Sequence, residues 1–579
     1  MIFPGIIQDN ITSIFTTISK KYKSFTVKVS SLKLSVKRFN SDVLKRAIVP
    51  IMAGGLSLIF LSLVTVSPWW LLGLTVTLPL VALGVYDWVQ QCWTLTRNYP
   101  AAARIRWLFY DLRPYLRAYI VEDDLEGKPF SFDARNLVYA RARGKTDTHP
   151  FGTERDLASD EYEWLCHSMA PAENPEKNPR VSIGSAQCEQ PYNASLLNIS
   201  AMSFGSLSAR AVEALNKGAR LGGFYHDTGE GGISPYHLKW GGDLVWEIGS
   251  GYFGCRDDKG NFDPGLFHES ATRNEVKMIE IKLSQGAKPG YGGLLPAAKV
   301  TEEIAWVRKV PKGQDCLSPR SHSAFSTPLE MLEFAARMRQ LSGGKPVGIK
   351  LCVGQVHEVL AIMKAMLKTG IHLDFIVVDG GEGGTGAAPV ELSDYVGMPL
   401  TEGLMVVRNA LVGTGLRDKV RLGASGKVYS GAGMARNFAI GADWCNAARA
   451  FMFSIGCIQA QRCHLGTCPT GVTTQDPGRQ RGLVVDVQAK RAARFHQQTL
   501  TALGHIVAAA GLAHPRDLQP YHLIRRVGTA EAKLFDRIYP FLPENALLEG
   551  AEDTPYSEWW QAANPASFRP RIDLAAARI

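Results

Sequence analysis

The chain has 579 residues, 64 Lys and Arg against 54 Asp and Glu, a formal net charge of +10, 46% hydrophobic residues and ten cysteines. That length buries a large core and reads as one major domain with additions. Cys92, Cys166, Cys188, Cys255, Cys316, Cys352 and Cys445 are scattered without paired spacing, which excludes a disulfide scaffold and fits a reducing compartment. The excess positive charge lies largely in the first fifty residues, with no interleaved aromatic and basic motif, so it argues for anionic lipid headgroups rather than nucleic acid.

Residues 1–47 carry Lys20, Lys21, Lys23, Lys28, Lys33, Lys37, Arg38, Lys45 and Arg46 against only Asp9 and Asp42, and charge is then absent until Asp87. IVPIMAGGLSLIFLSLVTVS (48–67) and WWLLGLTVTLPLVALGVYDW (69–88) are each about long enough to cross the hydrocarbon. Ser67-Pro68 supplies a tight turn, and Trp69, Trp70, Trp88 and Trp93 supply interfacial aromatics. A two-helix transmembrane anchor over 48–93 is therefore expected, with both ends on the cytoplasmic side because Arg97, Arg104 and Arg106 mirror the basic leader. The place this implies is a membrane, with the bulk of the chain in the cytoplasm. A cleaved signal peptide does not fit two long segments without a small-residue cleavage site. A buried soluble hairpin is the alternative, since Gly and Pro interrupt both segments.

Residues 94–184, with RIRWLFYDLRPYLRAYIVEDD, read as a helical pre-barrel region packing beneath or beside the barrel, and suggest no chemistry. From about 195, the runs LLNISAM, MIEIKL, PVGIKL, FIVVDG, VRLGAS and WCNAARA alternate with helical stretches such as ARAVEALNKGARLG and PLEMLEFAARMRQLSG. That alternation builds a parallel sheet with crossover helices, and its repetition over 185–510 favours a closed (β/α)8 TIM barrel in an α/β fold. Residues 511–579 are Pro- and Ala-rich and are expected to wrap the outside of the barrel as a C-terminal extension.

Glycine-dense loops come after the strands. They are Met202-Ser203-Phe204-Gly205-Ser206, Thr228-Gly229-Glu230-Gly231-Gly232, Gly286-Ala287-Lys288-Pro289-Gly290 and Asp379-Gly380-Gly381-Glu382-Gly383-Gly384-Thr385-Gly386. Without a Cβ the backbone comes close to a flat or anionic ligand. Each loop alone is a turn more readily than a site; four on one face of a barrel are harder to dismiss.

Cys457, Cys463 and Cys468 stand in GCIQAQRCHLGTCPTG, over 457–468, spaced Cys-x5-Cys-x4-Cys and closed by Pro469 and Gly471. Three soft thiolates so close suit an iron–sulfur centre. Zinc wants a fourth ligand, which His464 beside Cys463 supplies only awkwardly, and a redox or inert thiol reading stays open.

ISAMSFGSLS, DTGEGG, IKLSQGAKPGYGGLLP, GGEGGTGAAP and the three-cysteine run together resemble the FMN-binding synthase domain of glutamate synthase over roughly 185–480, and LTRNYP, IVEDDLEGKPFSF and LVYARARG resemble the short membrane-anchored bacterial form of that family. The resemblance implies FMN, a 3Fe-4S cluster on Cys457, Cys463 and Cys468, and conversion of 2-oxoglutarate and ammonia to glutamate through 2-iminoglutarate. It places Met202 and Ser203 at the flavin edge and makes Glu230, standing exposed in the mouth, an orienting acid. Lys282, Gln285 and Lys288 then meet the flavin and the dicarboxylate, two cations suiting an anionic reduced flavin and two carboxylates. Gly383 and Gly384 approach the cofactor. The phosphate is expected after the last two strands, at Ser425-Gly426-Lys427 and Ala447-Ala448-Arg449. Two departures stand out: Ser-Gly-Lys where the larger synthases show Asp-Gly-Gly, and Leu294 where they carry a polar residue.

No N-terminal cysteine nucleophile of the glutaminase kind and no Gly-x-Gly-x-x-Gly after a strand are seen, so a separate glutaminase or free ammonium, and ferredoxin, a reductase subunit or the quinone pool, are the expected suppliers of nitrogen and electrons. Two other readings compete: a membrane-tethered flavin and iron–sulfur oxidoreductase or electron-transfer subunit acting on another substrate, and a barrel scaffold without chemistry. A nucleotide-monophosphate barrel dehydrogenase would need one nucleophilic thiol rather than three.

Overall fold

The computed structural model describes residues 45–572 apart from 146, 161, 174, 175 and 177. The basic leader, except its last residues, and the final residues of the C-terminal extension lie outside the described residues. The chain divides into two compact units, 1–116 and 117–579.

In the first unit, helix α1 (Ile48–Leu63) and helix α2 (Leu71–Val89) form an antiparallel hairpin joined through a 3-10 turn at Pro68–Trp70. Small residues let the two backbones meet: a Cβ on Gly84 would stand 2.3 Å from Pro50 Cβ, and one on Gly73 2.5 Å from the Phe60 ring. Residues 68–89 make one helix long and apolar enough to cross a membrane. The first segment falls short of its expected extent, because α1 ends at Leu63 and 16 residues rise only about 24 Å. Asp87, fully buried near the end of α2, accepts from Arg104 Nη2 at 2.6 Å and from the Ala101 N–H at 3.0 Å. An unpaired carboxylate there would carry a large desolvation cost, and this pairing offsets it.

The pre-barrel region is less helical than expected. Helix Arg104–Leu116 buries none of its residues, helix α3 spans Phe132–Arg143, and the described residues of 145–184 hold turns and two short strands, Glu163–Leu165 and Arg180–Ile183. Ser131 caps α3 by accepting from the Ala134 N–H, and Gly144 closes it in the left-handed conformation.

The second unit is built on a closed barrel of eight parallel strands: β1 (Leu197–Ile199), β2 (His226–Asp227), β3 (Leu244–Ile248), β4 (Val276–Lys282), β5 (Val347–Leu351), β6 (Phe375–Asp379), β7 (Arg421–Ser425) and β8 (Trp444–Ala447). Pairing of Leu197 with Cys445 closes the ring. Two strands escape any search for apolar runs: β2 has only two residues, a histidine and an aspartate, and β3 carries Glu247 one residue from its end. Around and after the strands stand helices α4 (Ala209–Gly222), α5 (Pro264–Ala271), α6 (Glu302–Arg308), α7 (Pro328–Leu341), α8 (Val356–Thr369), α9 (Leu400–Gly413), α10 (Gly431–Ile440), α11 (Arg449–Ser454) and α12 (Val485–Ala509).

The antiparallel hairpin Arg180–Ile183/Tyr192–Ser195 places Ile183, Tyr192 and Ala194 in one apolar cluster with Tyr225, Val245, Met278, Phe375, Val377 and Trp444, closing the amino end of the barrel. Trp444 Nε1 donates to Tyr225 Oη at 2.9 Å, so the buried rings leave no polar atom idle there. The C-terminal extension packs on the outside: Asn409 of α9 donates to Pro540 O at 2.7 Å, and His357 of α8 bonds Phe568 O at 3.1 Å.

Candidate active site

The loops at the carboxyl ends of the strands enclose a cavity of about 1090 Å³. Its lining includes Met202 and Ser203 after β1, Glu230 after β2, Lys282, Gln285 and Lys288 after β4, Gly383 and Gly384 after β6, Ser425 and Gly426 after β7, Ala448 and Arg449 after β8, and Cys457, Cys463 and Cys468 beyond α11.

Lys282 ends β4, where strand alternation turns it inward. Its Nζ lies 3.3 Å from Glu230 Oε2 and 3.9 Å from Glu247 Oε1. His322 holds this strand end: its Nε2 bonds Lys282 O at 2.9 Å, which requires the proton on Nε2. Burial drives that imidazole down to about 4, so it is neutral at pH 7. Glu230 is not the exposed loop acid expected. Its side chain is only 16% exposed and also accepts from Ser318 Oγ at 3.3 Å. Burial opposes its charge, but Lys282, Arg308 and Lys288 outweigh burial and hold the carboxyl below its ordinary range.

Lys288 is buried at 4% exposure, not a surface residue, and donates to Ala387 O at 3.0 Å in the β6 loop. Burial lowers its pKa, with Glu230 opposing. Gln285 Nε2 is buried without a hydrogen-bond partner among the described residues. A buried amide donor left idle costs about 1–3 kcal/mol, a cost that a ligand oxygen accepting from it would offset.

Glycine is required at two approaches. Gly229 has φ +63°, and a Cβ there would stand 2.5 Å from the Ser203 N. A Cβ on Gly286 would overlap Gly380 O, where the Gly286 N–H also donates to Asp379 Oδ2 at 2.7 Å. Arg449 Nη2 donates to Glu382 O at 2.7 Å, and burial lowers its pKa to about 10 despite Asp379 and Glu382. Lys427 adopts φ +46°, a left-handed conformation costly for a side-chain-bearing residue and typical of strain held at a functional loop.

The three clustered thiols are free. Gln459 and Gln461, at φ +57° and +54°, curl the loop so that the Gln459 N–H donates to Cys457 Sγ at 3.5 Å. Burial pushes the Cys457 thiol up to about 12. Burial also opposes charge on Cys468, but bonds from Thr470 and Thr473 prevail and lower it. Arg135 of α3, 1% exposed, leaves Nη2 without a partner among the described residues while its charge acts on Cys457. Tyr139 of the same helix donates to Cys457 O at 2.7 Å, and Gln459 exchanges hydrogen bonds with the Phe130 backbone at 3.2 and 2.9 Å. The pre-barrel region thus covers the cysteine loop, a role its sequence did not suggest.

Sequence reasoning also missed Arg308 of α6, 4% exposed, whose Nη2 donates to Ser203 Oγ at 3.2 Å and Phe204 O at 3.0 Å. It missed Lys299, which donates to Ser206 O at 3.1 Å and Cys463 O at 3.4 Å. Both stand between β4 and α7, beyond the glycine loop 286–290, in a stretch without an apolar run closed by glycine. An anionic, flat ligand rich in oxygen acceptors fits the donors Lys282, Gln285, Lys427 and Arg449, and a cationic rim on three thiols fits a thiolate-bound, negatively charged centre.

Residues 158–513 match the family model described as the conserved region in glutamate synthase. The chain is 37% identical over 483 residues to the glutamate synthase large subunit-like protein YerD of Bacillus subtilis, covering 76% of this chain and 91% of that protein. It is 33% identical to the archaeal-type glutamate synthase [NADPH] of Thermotoga maritima and 37% identical to the archaeal glutamate synthase [NADPH] of Archaeoglobus fulgidus, covering 58% and 50% of this chain. It spans 63% and 54% of the length of those two relatives. With a barrel of this form and a family match over more than half its length, the chain belongs to the glutamate synthase family.

Proposed function

We propose that this protein is an oxidoreductase that uses FMN and a 3Fe-4S cluster to convert 2-oxoglutarate and ammonia to glutamate through 2-iminoglutarate. The observation that carries it is the convergence, on one cavity, of Lys282, the idle Gln285 amide, Lys288 and the three free thiols. FMN would supply hydride chemistry and the cluster one-electron transfer. Met202, Ser203, Gly383 and Gly384 would border the flavin, and Ser425, Gly426, Lys427, Ala448 and Arg449 would hold its phosphate. Lys282 would set a positive charge at the pyrimidine edge, and Glu230 keeps that ammonium in place across a 3.3 Å ion pair. Gln285, Lys288 and Arg308 would take the substrate carboxylates. Cys457, Cys463 and Cys468 would bind the cluster, under Arg135 and Tyr139.

The hairpin would tether the enzyme to a bacterial inner membrane with the barrel in the cytoplasm, supported by the apolar helix 68–89. Ammonia would come from solution or a separate glutaminase, and electrons from ferredoxin or a reductase subunit. A second reading keeps the cofactors and changes the substrate; Leu294 and Tyr291 lining the cavity beside Lys288 favour it.

The test is full-length protein purified without oxygen. It should carry FMN and about three irons per chain, and once reduced it should be reoxidised by 2-oxoglutarate with ammonium, not by glutamine alone. Zinc without iron sinks the cluster assignment. Reduced enzyme indifferent to both substrates leaves the second reading in place of the first.

A further inference from the structure

Barrel interiors of this kind are ordinarily filled by branched apolar side chains. Here the layer between the apolar floor and the mouth is ionic. Asp227 of β2, Glu247 of β3 and Glu280 of β4 bring carboxylate oxygens within 4.8 Å of one another, all three about 1% exposed. Lys350 of β5 stands against them: its Nζ makes a short contact with Glu247 Oε2 and lies 3.2 Å from Glu280 Oε1. The other oxygen of Glu247 faces Lys282 Nζ at 3.9 Å, and Lys282 faces Glu230. A continuous chain of charges thus runs Asp227, Glu280, Lys350, Glu247, Lys282, Glu230, from the buried interior to the cavity.

A buried ionic network is weak evidence for stability, since well-packed apolar residues would serve the fold as well or better. It is also short of positive charge: three carboxylates meet one ammonium fully and share a second with Glu230. Burial, reinforced by their neighbours' charge, keeps Asp227 well above its ordinary range and raises Glu280, while burial of Lys350 is outweighed by Glu247, Glu280, Asp227 and Asp379. The Tyr225 hydroxyl below is held protonated by burial and the carboxylates. Asp379, register partner of Ser425 between β6 and β7, adds a further titratable carboxylate that acts on Lys350 and accepts from the Gly286 N–H at 2.7 Å, whereas Ser425 and Asn446 do not titrate.

We propose that this network is the proton store of the site: when the cofactor facing Lys282 is reduced, Glu280 takes up a proton, and Glu247 is the positioning residue that couples Lys282 to it through Lys350. Two electrons from a one-electron donor and one proton reduce FMN, which leaves one added negative charge beside Lys282. A second proton forms an O–H bond on the Glu280 carboxylate, so the interior gains no net charge. When the hydride leaves for substrate that O–H bond breaks and the proton is released.

This inference rests on the FMN reading, and the two fail differently. Protein without FMN sinks the reading itself. With FMN bound, the midpoint potential of the full-length protein measured from pH 6.5 to 8.5 should fall with two protons per two electrons, and with one proton in Glu280→Gln and Glu247→Gln. A reduced-minus-oxidised infrared spectrum of the unaltered protein should show a new protonated-carboxyl band, which needs no variant to fold. One proton per two electrons in the unaltered protein, or an infrared difference spectrum without that band, overturns the proposal.

Discussion

The two ends of the barrel use the same eight strands for opposite purposes. At the amino end, Trp444, Phe375, Met278 and Tyr225 form one apolar cluster, and the hairpin bearing Tyr192 packs into it. At the carboxyl end the loops are rich in glycine, the inward residues are charged, and a cavity of about 1090 Å³ remains. The difference teaches where each kind of damage should register: as stability at the floor, as binding and turnover at the mouth.

Four substitutions sharpen that comparison. The largest effect on folding is expected from Trp444→Ala, which removes a fully buried ring and its bond to Tyr225, at a cost of about 3–5 kcal/mol in denaturant unfolding. Its folded fraction should keep the cofactor spectrum of the unaltered protein; loss of that spectrum would show the two ends to be coupled. Lys282→Ala is the converse. Turnover should fall about a hundredfold, equivalent to about 2.7 kcal/mol, while the unfolding midpoint moves little. A fall in stability without a fall in turnover would return Lys282 to a structural role.

Gly229→Ala forces a Cβ to within 2.5 Å of the Ser203 N at a positive φ, and should cost about 1–3 kcal/mol and weaken FMN retention, read by melting and by flavin release on gel filtration. The smallest effect concerns the layer between the two ends. Burial, then Glu280, raise the pKa of Asp227 well above its ordinary range in the folded state. Its contribution to stability is therefore whole below the unfolded pKa of about 3.9 and is lost as pH rises beyond it. As pH rises above about 3.9 toward the raised folded pKa, the unaltered protein should lose stability more steeply, by at most about 1.4 kcal/mol per pH unit, than Asp227→Asn, which still offers the Gly229 N–H an acceptor. Parallel stability curves for the two proteins would show Asp227 to be ionised.

Much of the mouth was legible in the sequence. Lys282, Gln285 and Lys288 stand in one contiguous motif, and the three cysteines lie within twelve residues, so local spacing alone brings them together. The partners of these groups were not legible. Arg308 meets Ser203 from 105 residues away, and Tyr139 meets Cys457 from 318. The first apolar segment was read as long enough to span, yet α1 ends at Leu63, because composition fixes where a segment is apolar and not where its helix stops.

What the sequence determines by itself is the order of strands and loops from β4 onward, through apolar runs closed by glycine, and the identity of the groups at their ends. What only the tertiary structure decides is which isolated charges share an axis. Glu247, Glu280 and Lys350 each sit in a hydrophobic run, VWEI, MIEIKL and VGIKL, and look like single polar interruptions. Parallel pairing puts Glu247 beside Glu280 and Lys350 beside Lys282, and the closed barrel turns them all inward. Register and closure are long-range properties, set by pairings as distant in the chain as Leu197 with Cys445, and no window of sequence contains them.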